Sequence, residues 1–312
     1  TGQQDPPIRP TVEVRDFNNK KKDKILGAAF QTFTKHGDVG EDVRSMYVPD
    51  EEDEVFVQLD SSQAEARVIF RLANDDWALE AVDTHDFHAL TASWFFGGTE
   101  NDYSKKVLGY ESPIRFIGKT LRHAGHLGAS PRRAAIEEIF HRKQPKIKQG
   151  FQNGIITALE KDRTLFAGIP YGFDIDYGGR RTFYERWGDE LFRQAFSYIP
   201  QRTVSDNTKG AGIRIRERIP TVKIVMESHD ALLICMPKSK LQEWVPIMKQ
   251  EFERPIDFST CSLRRPSLII PCDVEFGNNY QDLSKFKDYV ALDIPQPKAV
   301  IHPKDRSMLV TE

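Results

Sequence analysis

The chain has 312 residues, 39% of them hydrophobic and 29% charged, with a formal net charge of −2. That is the composition of a globular protein long enough to bury a large core in one or two domains. No stretch approaches the roughly 20 apolar residues of a membrane span and no apolar leader opens the chain, so a soluble, cytoplasmic protein without a membrane partner is expected (host cytoplasm if viral).

Residues 1–10 are polar and proline-rich, the pattern of a linker or lead-in. An opening Thr in place of Met is what a fragment, a processed product or a trimmed chain shows. Arg15 and the run Lys20, Lys21, Lys22, Lys24 follow; such a cluster is either a solvated loop or a contact to a phosphate backbone. Val55, Phe56, Val57 and Leu59 make a nearly continuous apolar run of β-formers, a buried strand that ends on Asp60. Ser62-Gln63-Ala64-Glu65 has the pattern of a capping box opening the next helix. From Trp77 to about Phe166 the pattern is helical, interrupted near Gly97-Gly98 and Ser112-Pro113. His85 and His88 are spaced to share a helical face, but they lack a third ligand at a zinc-site spacing.

Between Arg115 and Lys148, nine Lys and Arg residues stand against Glu137 and Glu138, a local balance of +7 in a chain of net −2. On a helix Arg115, Lys119, Arg122 and His126 fall within an arc of about 60°, with His123 beside them. The stripe is either a solvent face or a track for a triphosphate. Gly118-Lys119-Thr120 is not a P-loop, which needs glycine where Pro113 stands.

Gly172 to Tyr184 signals a bent strand or hairpin, and Glu185 to Tyr198 an amphipathic helix. Thr221 to Met236 reads as a hairpin turning at Glu227-Ser228-His229-Asp230, Leu241 to Phe252 as a helix and Ser267 to Phe276 as a final strand. Residues 283–312, with Pro295, Pro297 and Pro303, have the look of a tail with little core of its own. Cys235, Cys261 and Cys272 form no Cys-x-x-Cys pair, so neither a zinc knuckle nor a disulfide framework is indicated. Asp230 in its turn serves either turn chemistry or presentation of a carboxylate. Two carboxylates, each at the end of a different apolar strand, are what a pair of Mg²⁺ ions requires, because that ion takes few protein carboxylates and completes its shell with water and phosphate.

With these residues assembled, the chain resembles the polymerase domain of the A-family DNA polymerases, the bacterial repair type and its phage relatives, over roughly Arg15 to Asp282. Asp60-Ser-Ser-Gln63-Ala-Glu65-Ala-Arg67 resembles the first catalytic motif of that family, and Asp86-Phe-His88 through Trp94 its Asp-Ile-His segment. Arg115 to Gly128 is similar to its nucleotide-binding helix, Gly179-Arg180-Arg181 to its Gly-Arg-Arg turn, Ile199 to Thr203 to its Pro-x-Gln-x-Thr motif, and His229-Asp230 to its His-Asp hairpin. Phe30-Gln31-Thr32 with Val43-Arg44, and Ile270 to Gly277, resemble an upstream pair of motifs and the closing palm strand.

The resemblance implies an α+β fold: an antiparallel-sheet palm with a helical fingers subdomain, a right-hand architecture lacking thumb and exonuclease. Residues 1–74 would be lead-in and first palm, 75–178 fingers, 179–282 the rest of the palm and 283–312 a tail. It implies template-directed DNA synthesis from dNTPs on primer-template DNA. Asp60 and Asp230 would be catalytic and hold two Mg²⁺, with Mn²⁺ as a substitute. His88, Arg115, Lys119, His123, Gln63 and Glu65 would meet the nucleotide, Glu65 crowding the sugar 2′ position. Arg15, Gln201, His229, Arg180, Arg181 and Leu127 would meet the DNA. The alternative is a non-catalytic DNA-binding or scaffolding relative; an RNA polymerase on the same fold is disfavoured by Glu65.

His123 stands where the family has a ring-stacking aromatic, Leu127 where it has tyrosine, and Ala231 where many relatives have glutamate. Only about 14 residues precede Arg15, so a second polypeptide or a cleaved piece is expected to supply the thumb, with 283–312 as a candidate contact.

Overall fold

The computed structural model describes residues 11–15, 21–25, 38–109, 112–128, 134–170 and 179–286. The Phe30-Gln31-Thr32 motif and the tail beyond Phe286 lie outside them. Strands β1 (Thr11–Arg15) and β2 (Lys21–Ile25) pair antiparallel. Lys21, Lys22 and Lys24 therefore sit in a strand and not in the expected loop. Helix α1 (Asp38–Ser45) carries Arg44, whose guanidinium carbon lies 3.6 Å from the centroid of the Tyr280 ring and whose Nη2 donates to Tyr280 O. Strand β3 (Glu54–Ser61) follows.

The helical part comprises α2 (Ala64–Ala73), α3 (Asp76–Ala81), α4 (Phe87–Phe96), α5 (Lys105–Leu108), α6 (Pro113–Leu127), α7 (Ala134–Lys143) and α8 (Asn153–Asp162). A π-helical stretch, Ile147–Gln152, leads into α8. The helices stop at Asp162, short of the expected end: Arg163 takes a left-handed φ of 61° and β4 (Thr164–Phe166) begins. Short strands β5 (Ile169–Pro170) and β6 (Arg180–Thr182) follow, β6 pairing with β4.

Helix α9 (Asp189–Arg218) is 30 residues long and runs far past the expected end at Tyr198. Proline normally breaks a helix by removing one hydrogen bond and clashing with the preceding turn. Here Ile199, Pro200, Thr203 and Val204 are all buried, and packing on both sides outweighs the local preference. The hairpin β7 (Lys223–Ser228) and β8 (Ala231–Pro237) and helix α10 (Leu241–Phe252) lie where the residue pattern places them.

The expected final strand is two strands in two sheets. After β9 (Ile256–Phe258), β10 (Arg265–Leu268) pairs with β9, whereas β11 (Cys272–Gly277) joins the main sheet. Pro271 lies between them. The stretch expected to be a tail with little core of its own begins with β12 (Ser284–Lys285), which pairs with β11, and Phe286 packs its ring against Phe276.

The main sheet has the order β12-β11-β3-β8-β7, all antiparallel, so β3 is its centre. The two-residue period of a strand sends alternate side chains to opposite faces. Val55, Val57 and Leu59, with Leu232, Ile234 and Met236, face Ala211 and Ile215 of α9 and Val245, Met248 and Phe252 of α10. Glu251, 1% exposed, locks those two helices together by accepting from Arg214, Arg218 and Arg254. Phe56, Gln58 and Asp60 point to the other face, and a larger core that includes Val68, Phe70, Phe87, Phe140, Phe151 and Phe196 organises the helices. Cys235, Cys261 and Cys272 are buried free thiols, and none of the described helices is long and apolar enough to cross a membrane.

Candidate active site

Asp60 is the penultimate residue of β3, and its Cα is paired with Ala231 on β8. The Ser61 N–H donates to the Asp230 carbonyl (3.0 Å), which fixes the turn of the β7–β8 hairpin against the end of β3. His229 in that turn takes a left-handed φ of 50°. On the other flank Asp273 of β11 is the direct cross-strand partner of Asp60. Burial, then the charges of Asp230, Asp273 and Glu275, push the Asp60 carboxyl up to about 7. Burial also raises Asp230, against the pull of His229 and Lys119.

A cleft of about 790 Å³ opens over these carboxylates, lined by Asp60, Gln63, Asp86, His88, Arg115, Asp230 and Asp273 among others. A second, of about 390 Å³, is lined by Gln63, Glu65, His88, Lys119, His123, His229 and Asp230 among others. Gln63, His88 and Asp230 belong to both, so the predicted metal and nucleotide residues converge on one place, with His229 beside them.

Helix α2 opens without the expected capping box. Gln63, at a left-handed φ of 50°, is the N-cap residue and makes no side-chain cap; its Nε2 donates to Val82 O. Ser62 is held instead through its backbone N–H, which donates to Pro271 O (2.8 Å). Glu65 is thereby free to approach His229, with Oε1 3.5 Å from Nε2.

Asp86 caps α4, accepting from the backbone N–H groups of His88 and Ala89, and grips Arg115 of α6 at 2.8 Å. Burial acts to raise its pKa, but the hydrogen bonds from Arg115 and Ala89 hold the carboxyl below the usual range. His88 is driven down to about 4 by burial and then by the charges of Arg115 and Arg122, so its ring is neutral at pH 7. His85 does not share its helical face: it precedes α4 and pairs with Glu100 (2.6 Å).

The cationic stripe on α6 divides. Arg115 and Lys119 open onto the clefts, whereas Arg122 and His126, which form part of the floor of the second cleft, are each only 3% exposed and are held by core groups. Arg122 donates to Phe87 O, Thr91 Oγ1 and Gln144 Oε1 and lies over the Phe87 ring; the Phe140 ring packs edge-on against His126. The apolar partner of the helix is thus found on the charged side, and Ile114, Phe116 and Ile117 are the exposed ones.

Apart from His229, the predicted DNA residues are dispersed. Leu127 packs against the helical core. Arg181 donates to Glu185 and Gln194 and lies over the Phe183 ring, while Arg180 and Gln201 are exposed. Arg15 ends β1.

Asp86, Lys105 and Asp273 are among the cleft residues that carried no predicted role. Asp86 had a visible signal as a candidate helix cap. Asp273 had none, because its neighbour Asp60 is brought to it only by the pairing of β3 with β11.

The carboxylates suit a divalent ion. Burial first, and then the neighbouring carboxylate charges, raise Asp60, and a cation between the carboxylates would relieve both penalties. Among the described residues no group of three or more His, Cys, Asp or Glu side chains could hold an ion, so water and substrate oxygens would complete the shell, as Mg²⁺ prefers.

No family model matches the chain. It is 27% identical over 236 residues to the thermostable DNA polymerase I of Thermus thermophilus, covering 69% of this chain and 26% of that protein. It is 27% identical over 256 residues to DNA polymerase I of Bacillus caldotenax, covering 78% of this chain and 28% of that protein. The chain therefore spans under a third of the length of these relatives. The POL domain of Pol1 from M. smegmatis, solved in complex with DNA primer-template and dNTP, superposes with a TM-score of 0.64 at 16% identity, over 87% of this chain and 47% of that one. The resemblance to the A-family polymerases is borne out in sequence and in fold, as is the α+β architecture of antiparallel sheet and helical fingers.

Proposed function

We propose that the chain is the palm-and-fingers part of a template-directed DNA polymerase that transfers nucleotides from dNTPs to a primer 3′-OH. The observation that carries this reading is the meeting of Asp60 and Asp230 at one end of a five-stranded sheet, beside a cleft bordered by His88 and Arg115.

In this reading Asp60 and Asp230 hold two Mg²⁺ or Mn²⁺ ions, which when bound supply charge stabilisation for the attacking and leaving oxygens of an in-line displacement. Arg115 and Lys119 bind the triphosphate, Arg115 exchanging Asp86 for phosphate oxygens. Neutral His88 donates a hydrogen bond to the same group. Glu65 closes the space beside the sugar and His229 meets the primer end, their mutual contact fixing both. Arg180 and Gln201 contact DNA phosphates and bases. Phosphoryl transfer needs mostly positioning and charge stabilisation, which is what these groups are placed to provide.

Primer extension with Mg²⁺ tests the reading by comparing the chain with its Asp230→Ala variant, in the presence of whatever polypeptide co-purifies with it. Extension that falls at least a thousandfold in the variant supports it. Equal extension by both refutes the metal assignment, and DNA binding without extension by either favours a non-catalytic relative.

A further inference from the structure

A separate trough of about 880 Å³ lies between α8 and the segment joining β9 to β10, and shares no lining residue with the two clefts above. One wall is a face of α8 on which Asn153, Thr157 and Lys161 recur every four residues, all exposed. The other wall carries Arg264, also exposed. Between them sits Phe166, an aromatic ring left 37% exposed.

The walls are fixed to one another. Gly154 of α8 approaches Leu263 so closely that an added Cβ would lie 3.2 Å from its side chain. The Phe166 N–H donates to Ser262 Oγ (2.9 Å), and Phe166 O accepts from the Ser262 N–H (3.1 Å). Across β4 and β6, Phe166 is the register partner of exposed Arg180. The one acid lining the trough, Asp162, accepts the Thr164 N–H with its Oδ1 (2.9 Å). Arg265 is committed to backbone carbonyls of Leu72 and Arg264. Lys161 and Arg264 are thus the cations presented to a ligand.

We propose that this trough binds a single-stranded nucleic acid. Phosphates lie on Lys161 and Arg264, a base stacks on Phe166, and Asn153 and Thr157 offer hydrogen bonds to base edges. Two cations set either side of an aromatic ring, with amide and hydroxyl groups alongside, match the backbone-plus-stacking chemistry of single-strand sites. A free phosphate would make no use of the ring. Arg180 would extend the same track across β6.

The test is fluorescence anisotropy with a labelled oligo-dT, without dNTP or divalent metal, so that a chain devoid of polymerase activity still reports. Lys161→Glu/Arg264→Glu should weaken binding about tenfold and make the log–log salt dependence shallower by about 1.4, for two lost phosphate contacts at about 0.7 each. Unchanged affinity and slope would overturn the proposal. So would equal weakening by a control reversal at exposed Lys143 and Arg216. Photocrosslinking of a 5-bromodeoxyuridine oligonucleotide to the unmodified chain should label the peptide containing Phe166, and labelling only elsewhere also overturns it.

Discussion

Asp60 lies beside Asp230 because Ser61 donates its N–H to the Asp230 carbonyl, locking the end of β3 to the tip of the β7–β8 hairpin. The two carboxylates are held together by backbone, not by any attraction of their own. Burial at this strand end, followed by the charge of Asp230, raises the Asp60 carboxyl to about 7 from an ordinary 3.8.

That shift has a sign in stability. Between pH 4 and 7 the native chain binds a proton that the unfolded chain has released, so Asp60 destabilises the fold increasingly as pH rises through that window. Asp60→Asn should therefore be more stable than the parent at pH 8 without metal, by roughly 2–4 kcal/mol from a three-unit shift at 1.36 kcal/mol each. The gain should vanish near pH 4. Mg²⁺ at about 100 times its Kd should raise the parent by about 2.7 kcal/mol and the variant by less. Denaturant titrations at the two pH values check this; a variant no more stable at pH 8 would mean that burial and neighbouring charge do not raise the Asp60 carboxyl.

Arg115 is held by Asp86 through both Nε and Nη2, at 2.8 and 3.3 Å. A triphosphate must compete with that carboxylate for the guanidinium. Arg115→Ala should raise the KM for dNTP about 10- to 100-fold, the range expected when a charge-assisted hydrogen bond is lost. Asp86→Asn keeps a capping side chain on α4 and releases Arg115, so it should lower KM. Steady-state extension kinetics separate the two, and opposite changes in KM are the expected signature.

Glu65 takes its place from its contact with His229 and from the left-handed Gln63 that starts α2. Glu65→Ala opens the second cleft where the sugar is proposed to lie. The preference for dNTP over rNTP should fall by at least tenfold, read from competing incorporation. Unchanged selectivity would remove Glu65 from the sugar site.

Local patterns located β3, the β7–β8 hairpin and α10 in the sequence, because each buries a face with its own period. The helical wheel of α6 placed Arg115, Lys119, Arg122 and His126 together but could not say which part of that face was covered. The cover comes from Phe87 and Phe140, on other helices. Asp273 was illegible for a similar reason: its role follows from strand register, which no local pattern encodes. Pro200 and Ser62 misled because each has a strong local habit that packing and backbone bonds override.

The meeting of α4 and α6 depends on Gly118, which carries no functional group. A Cβ there would lie 2.2 Å from His88 O and 3.1 Å from the Ala92 backbone nitrogen. On helix propensity alone Gly118→Ala would gain about 1 kcal/mol. The clash is with backbone, which cannot rotate away, so the two helices must separate, at a net loss of about 1–3 kcal/mol. Separation also carries Lys119 away from His88, so the KM for dNTP should rise in the same variant. Thr120→Ala, exposed on the same helix, should change stability by less than about 0.5 kcal/mol. Denaturation midpoints for the pair decide it: a Gly118→Ala chain as stable as the Thr120→Ala chain would show that the helices do not touch here.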